Sequence, residues 1–120
     1  MIIRAAALGV LIMASVMPVA AQTAKATGAM LRGLDKVSGA PIDFSMKVGD
    51  TVELGRLRVT LGECRYPTNN PSGDAYAWLV VRDGNDDQTT FEGWMIASSP
   101  ALNALDHPRY DVWVLRCTTD

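Results

Sequence analysis

From Met30 onward, apolar and polar side chains alternate in short runs broken roughly every eight to twelve residues by Gly, Pro, Asn or Asp, a spacing that predicts an all-β chain. The first runs are MLRGLDKV (30–37), turned by Ser38, Gly39 and Pro41; IDFSMKV (42–48), turned at Gly49-Asp50; and the short TVEL (51–54). In RLRVTLGEC (56–64) the alternation is clean, with Leu57, Val59 and Leu61 on one face and Arg56, Arg58 and Thr60 on the other. Strict continuation would bury Glu63 and expose Cys64. A bulge at Gly62 is therefore expected, returning Cys64 to the interior.

PTNNPSGD (67–74) has no apolar side chain to anchor it and reads as a surface loop. AYAWLVV (75–81) is β-branched and aromatic enough for a central strand covered on both faces, and RDGNDDQ (82–88) turns it into its hairpin partner TFEGWMI (90–96). Ser98 or Ser99 can cap a helix over PALNAL (100–105) with Pro100 in the first position. Pro108 stops it, and YDVWVLRC (110–117) is the last strand. The expected fold is a small all-β barrel or sandwich of six to seven mostly antiparallel strands, with one short helix before the last strand. Closure of that kind protects edge strands.

Upstream the pattern changes. Residues 1–21 read as a secretory signal peptide: Arg4 supplies the positive start, Ala5 to Met17 the apolar stretch, and Val19, Ala20 and Ala21 the small residues that a signal peptidase recognises. Cleavage is expected after Ala21, or after Ala20. The apolar run is shorter than the roughly 20 residues needed to span a bilayer, so no transmembrane segment is expected in the mature protein. QTAKATGA (22–29) is small and polar, and reads as a flexible lead-in to a single disulfide-braced domain over 30–120. Periplasmic or secreted localisation follows.

Overall the 120 residues are 48% hydrophobic with a formal charge of −2. No basic block is present to neutralise phosphates along a polymer, which argues against nucleic acid as a partner. In an oxidising compartment the two cysteines, Cys64 and Cys117, are expected to be bridged. The alternatives are a redox pair, a metal site, or a nucleophile with His107 as its base; the wide spacing, the shortage of ligands and the need for a free thiolate count against each.

Other constellations are sparse. Asp83, Asn85 and Asp87 begin like a calcium loop, but Gln88 stands where glycine belongs and Trp94 where the twelfth-position acid belongs, so the segment reads as a solvated turn. His107 is the sole histidine; Asp106 or Asp111 could orient it toward Ser98 or Ser99, against the plainer reading of a residue that packs before the last strand. Tyr66, Tyr76, Trp78, Trp94, Tyr110 and Trp113 are read mainly as packing residues, with Trp113 expected beside the bridge on the face of Leu115 and Cys117. Trp78 and Trp94 can pair across neighbouring strands, and exposure of either beside the 67–74 loop would mark a partner or glycan surface. Arg32, Arg56, Arg58, Arg65, Arg82 and Arg116 read as a solvated face interleaved with Glu53, Glu63 and Glu92, the alternative being a stripe for phosphate or lipid head groups.

GWMIASSPALNALDHPRYDVWVLRC (93–117), with GLDKVSG (33–39), LGRLRVTLGEC (54–64) and AYAWL (75–79) in order, resembles the bacterial secreted family filed as domain of unknown function 2155. The resemblance runs from about Met30 to Cys117, and the 93–117 motif is its specific part. LGRL at 54–57 departs from the family, where an aromatic residue is common before the glycine. The resemblance implies cysteines at the positions of Cys64 and Cys117, and it implies no catalytic residue, cofactor or partner. The expected function is a non-enzymatic binding or scaffold module whose partner is another envelope protein or a surface component, with no cofactor and no metal. A small hydrolase or transferase using His107, or a structural subunit of an envelope assembly, is the alternative. The residues singled out for a surface or site are His107, Asp106, Trp78 and Trp94.

Overall fold

A computed structural model describes residues 22–84 and 87–119, together with Gly9. The expected signal peptide, Gly9 apart, lies outside the described residues, as does Asn85 of the acidic turn. Eight strands run in order: β1 (Thr23–Lys25), β2 (Gly28–Asp35), β3 (Pro41–Lys47), β4 (Thr51–Leu54), β5 (Leu57–Pro67), β6 (Tyr76–Asp83), β7 (Gln88–Ile96) and β8 (Tyr110–Thr118). They form two antiparallel sheets. One has the order β1-β5-β6-β7 with β4 also on β5, and the other the order β3-β2-β8.

The long strand β5 organises the first sheet. Its beginning pairs with β4, Leu57 opposite Leu54, and its end pairs with β1, Arg65 opposite Lys25, while β6 takes the other edge along most of its length. Between β1 and β2 the chain crosses from one sheet to the other. The Ala26 amide donates to the Cys64 carbonyl at 2.8 Å and the Thr27 amide to the Thr118 carbonyl at 3.1 Å, so both amides at the crossing find acceptors. Cys64 and Cys117 are bridged at the same place, joining β5 to β8 and hence one sheet to the other, with their Cα atoms 5.8 Å apart.

Period-two burial dictates the layering. Leu57, Val59 and Leu61 of β5, Ala77, Leu79 and Val81 of β6, Leu31 of β2, and Val112 and Val114 of β8 are all shut off from solvent and form one core between the sheets. The Gly62 bulge is present: the β5–β6 register shifts between Leu61 and Glu63, which turns Cys64 inward. A Cβ on Gly62 would come within 2.8 Å of Trp78 Cδ1, so glycine both permits the bulge and seats the indole above it.

Several expectations are corrected. The two sheets do not close into a barrel, and the described residues form eight strands rather than six or seven. The extra strand lies in the supposed flexible lead-in, where Thr23–Lys25 gain order from the β5 edge rather than from side-chain burial. No helix is found among the described residues. PALNAL is a series of turns, because six residues supply too few backbone bonds to offset nucleation, and because Asn103 reaches out to the Trp94 carbonyl at 2.9 Å while Leu105 is drawn into the core. Strand β6 is covered fully on one face only, with Tyr76, Trp78 and Val80 half-buried on the other. Trp113 is likewise half-buried rather than packed beside the bridge. A second bulge leaves Leu115 unpaired between Arg116 opposite Met30 and Val114 opposite Leu31, so Trp113 and Leu115 face outward while Cys117 faces in.

Candidate functional site

His107 is only 5% exposed and sits at the seam of the two sheets. Its Nε2 lies 3.1 Å from Asp83 Oδ2, and its Nδ1 accepts from the backbone amides of Arg109 at 3.0 Å and Tyr110 at 3.2 Å. Two amide donors on Nδ1 assign the ring proton to Nε2, directed at Asp83. Lys36 Nζ donates to the His107 carbonyl at 2.9 Å, and the imidazole packs against the Tyr110 ring at 5.3 Å. Arg109 meanwhile donates to Asp35 at 3.1 Å; that bond, with a second from the Val37 amide, holds the Asp35 carboxyl below the ordinary carboxylate range. His107 thus ties β6, the β2–β3 turn and the start of β8 together.

Of the two serines that could serve it, Ser99 is exposed and Ser98 is engaged elsewhere. Ser98 Oγ donates to Asp74 Oδ2 at 2.6 Å, and the Ser98 and Ala75 amides donate to Asp74 Oδ1 at 3.0 and 2.9 Å. Partial burial opposes the Asp74 charge, but these three bonds outweigh it and hold the carboxyl below its usual value. Asp106 is exposed, and Asp111 accepts from the Val112 amide at 2.9 Å. Within the acidic turn, Asp83 serves His107 and Asp87 stands 4.0 Å from Arg58 and 3.9 Å from Arg82, so the two described carboxylates of the turn are committed to different neighbours.

The connection from Ser98 to Pro108 runs from β7, where Asn103 bonds the Trp94 carbonyl, to the start of β8, where Pro100, Ala101 and Ala104 with Asp111, Val112 and Trp113 line a shallow apolar concavity of about 330 Å3. His107 points away from it into the interior.

A different surface gathers the aromatic candidates. On the outer face of the five-stranded sheet, Glu63, Trp78 and Trp94 form one cross-strand row, and Arg65, Tyr76 and Ile96 the next. The indoles of Trp78 and Trp94 meet edge to face with centroids 5.5 Å apart and planes at 74°, the arrangement their quadrupoles favour. Trp94 remains 37% exposed. Its ring, with Thr23, Arg65, Tyr76 and Ile96, lines a mostly apolar groove of about 420 Å3 at the sheet end nearest the 67–74 loop. The charged rim is internally paired: Arg65 Nε contacts Glu63 at 2.8 Å, Lys25 Nζ lies 3.7 Å from Glu63, and Arg65 Nη1 donates to Thr23 at 3.2 Å. Tyr76 and Ile96 were legible as parts of strands but not as partners of Trp94. Their phase, each two residues from a tryptophan, is the signal that groups them.

Comparison with known proteins places the chain in a family. Residues 29–117 match the family described as "Uncharacterized protein conserved in bacteria (DUF2155)". A relative from Rickettsia prowazekii (strain Madrid E), itself an uncharacterized protein, is 23% identical over 94 residues, covering 76% of this chain and 61% of the relative. The chain therefore spans less than two thirds of that relative's length. No solved structure matches.

Proposed function

The chain belongs to this uncharacterised bacterial family, and we propose that it serves as an exported, non-enzymatic binding module of the cell envelope. In this reading the leader over residues 1–21 is removed after Ala21 or Ala20, the bridge forms in an oxidising compartment, and the mature chain binds another envelope protein through the outer face of its five-stranded sheet.

One observation carries the reading: Trp94 is left partly exposed in an apolar groove beside Tyr76 and Ile96, on a face where strand alternation would otherwise place polar residues. Large aromatics contribute strongly at protein interfaces, and a paired charged rim lets the patch be desolvated without stranding an unpartnered ion. The committed bonds of His107 and Ser98 favour a structural role for both over a hydrolytic one.

A photocrosslinker placed at Trp94 in the protein expressed in its own envelope tests the reading. The expected result is one discrete adduct with an envelope protein, weakened when Tyr76 is also changed to Ala and absent when the crosslinker is placed at Ser45 on the opposite sheet. Equal, diffuse adducts from both positions would refute it. Fractionation with intact-mass measurement of the mature chain tests export separately.

A further inference from the structure

The outer face of the three-stranded sheet holds a concavity of about 510 Å3, larger than the aromatic groove on the other sheet. Its origin lies in the strand register. Two consecutive cross-strand rows meet there, Ser45, Met30 and Arg116 in one and Lys47, Gly28 and Thr118 in the other, with β2 in the middle. Met30 is a wall. Gly28, at the centre of its row, has no side chain, and its backbone forms part of the floor. A Cβ at that position would fall 2.9 Å from Thr118 Oγ1 and run into the Met46 carbonyl, so the floor stays glycine for steric reasons.

Most of the described cations are committed to carboxylates away from this concavity. Arg32 pairs with Asp43, Arg65 and Lys25 with Glu63, Arg58 and Arg82 with Asp87, and Arg109 with Asp35. Among the described residues Lys36, Lys47, Arg56 and Arg116 form no ion pair, and two of these, Lys47 and Arg116, line the same concavity from opposite flanking strands. Asp43, the carboxylate that feels Arg116, is already held bidentate by Arg32 at 2.6 and 2.9 Å. Asp50 at the rim accepts from the Lys47 amide at 3.1 Å and brings one negative charge against two positive ones.

We infer that this concavity binds the phosphodiester group of an anionic ligand, with the Arg116 guanidinium and the Lys47 ammonium taking its non-bridging oxygens. Cations on opposite sides of a glycine floor suit a tetrahedral anion, which presents oxygens in diverging directions, better than a planar carboxylate. Among the described lining residues the single excess positive charge matches the single charge of a diester, and Asp50 works against a dianion. Hydroxyls of Ser45 and Thr118 line the same space and supply donors. Two sources share this chemistry, a soluble phosphodiester and the headgroup of an anionic phospholipid. The inference is independent of the protein-docking reading, since the two surfaces lie on opposite sheets.

The test uses the full oxidised chain with dimethyl phosphate as the soluble probe, followed by amide chemical shifts, and flotation with vesicles of phosphatidylglycerol in phosphatidylcholine against phosphatidylcholine alone. The expected result is perturbation centred on Gly28, Ser45 and Thr118, or flotation with the anionic vesicles only, with K47Q/R116Q weakening the response about tenfold or more. Both substituted side chains are exposed, so the double variant should keep its thermal midpoint, and Trp94→Ala should bind as the parent does. A response to dimethyl phosphate identifies a soluble ligand, and a response to the vesicles alone a headgroup. No response to either probe, or binding undiminished in K47Q/R116Q, overturns the inference.

Discussion

His107 shows how one buried side chain can satisfy a corner of the fold. Its Nδ1 takes two amides that the turn before β8 would otherwise leave without acceptors, and its Nε2 reaches Asp83 on the other sheet. His107→Ala should remove both functions and leave a cavity, costing about 2–4 kcal/mol in urea unfolding. His107→Asn, whose side-chain oxygen can take the place of Nδ1, should recover part of that loss; equal stability of the two variants would mean the amide contacts contribute little. Asp74 gives a pH prediction. Its folded-state carboxyl is held below the unfolded value, so the stabilisation it brings is complete above the ordinary carboxylate range and is lost as pH falls through the folded value. Asp35 and Asp43 act in the same direction, Asp43 through its bond to Arg32. Thermal midpoints should therefore fall with acidification below about pH 4. Asp74→Asn should lower the midpoint at neutral pH and flatten this acid dependence. The histidine was visible in the sequence as a packing residue, but Asp83 was not visible as its partner, because a contact across 24 positions depends on how the two sheets stack.

At the scale of the strand, legibility tracked whether the chain advertised its irregularities. Gly62 lay where alternation conflicted with an inward cysteine, so the bulge could be inferred from pattern alone. The bulge at Leu115 carries no glycine and no conflict that the sequence exposes, and the resulting change of phase sent Trp113 outward. β1 escaped notice for a related reason: Thr-Ala-Lys buries little and is held by ladder bonds to β5, which hydrophobic periodicity cannot report. Gly62→Ala tests the bulge directly. The new methyl must displace Trp78 or open the register, so a loss of about 1–3 kcal/mol is expected together with a shift in tryptophan emission. Retained stability and an unchanged spectrum would show that β5 reaches Cys64 without a constrained glycine. Gly55 offers a parallel case, since it turns β4 into β5 at φ +57° directly against the Tyr110 ring and leaves no room for a side chain.

Over the whole molecule, the two sheets share one core but, among the described residues, no strand-to-strand ladder; the β7–β8 connection enters β8 at the His107 end, while the β1–β2 and β3–β4 passages between the sheets lie near one corner. There the β1–β2 crossing, the Gly49 and Leu61 amides bonded to carbonyls of Leu61 and Asp50, and the Cys64–Cys117 bridge come together. The bridge spans a sequence separation of 53, so closing that loop restricts the unfolded chain by an amount worth roughly 4 kcal/mol on the entropy account. Cys64 is fully buried and Cys117 nearly so, which shields the bond from casual exchange in the native state. C64A/C117A should consequently lose about 2–4 kcal/mol in denaturant at neutral pH. The loss should be uneven in hydrogen exchange, with amides of β1 and the start of β2 deprotected more than the centre of β6, because the corner loses its covalent tie while the β5–β6–β7 ladder does not. Uniform loss across both sheets would instead mean that the bridge acts only on the unfolded chain.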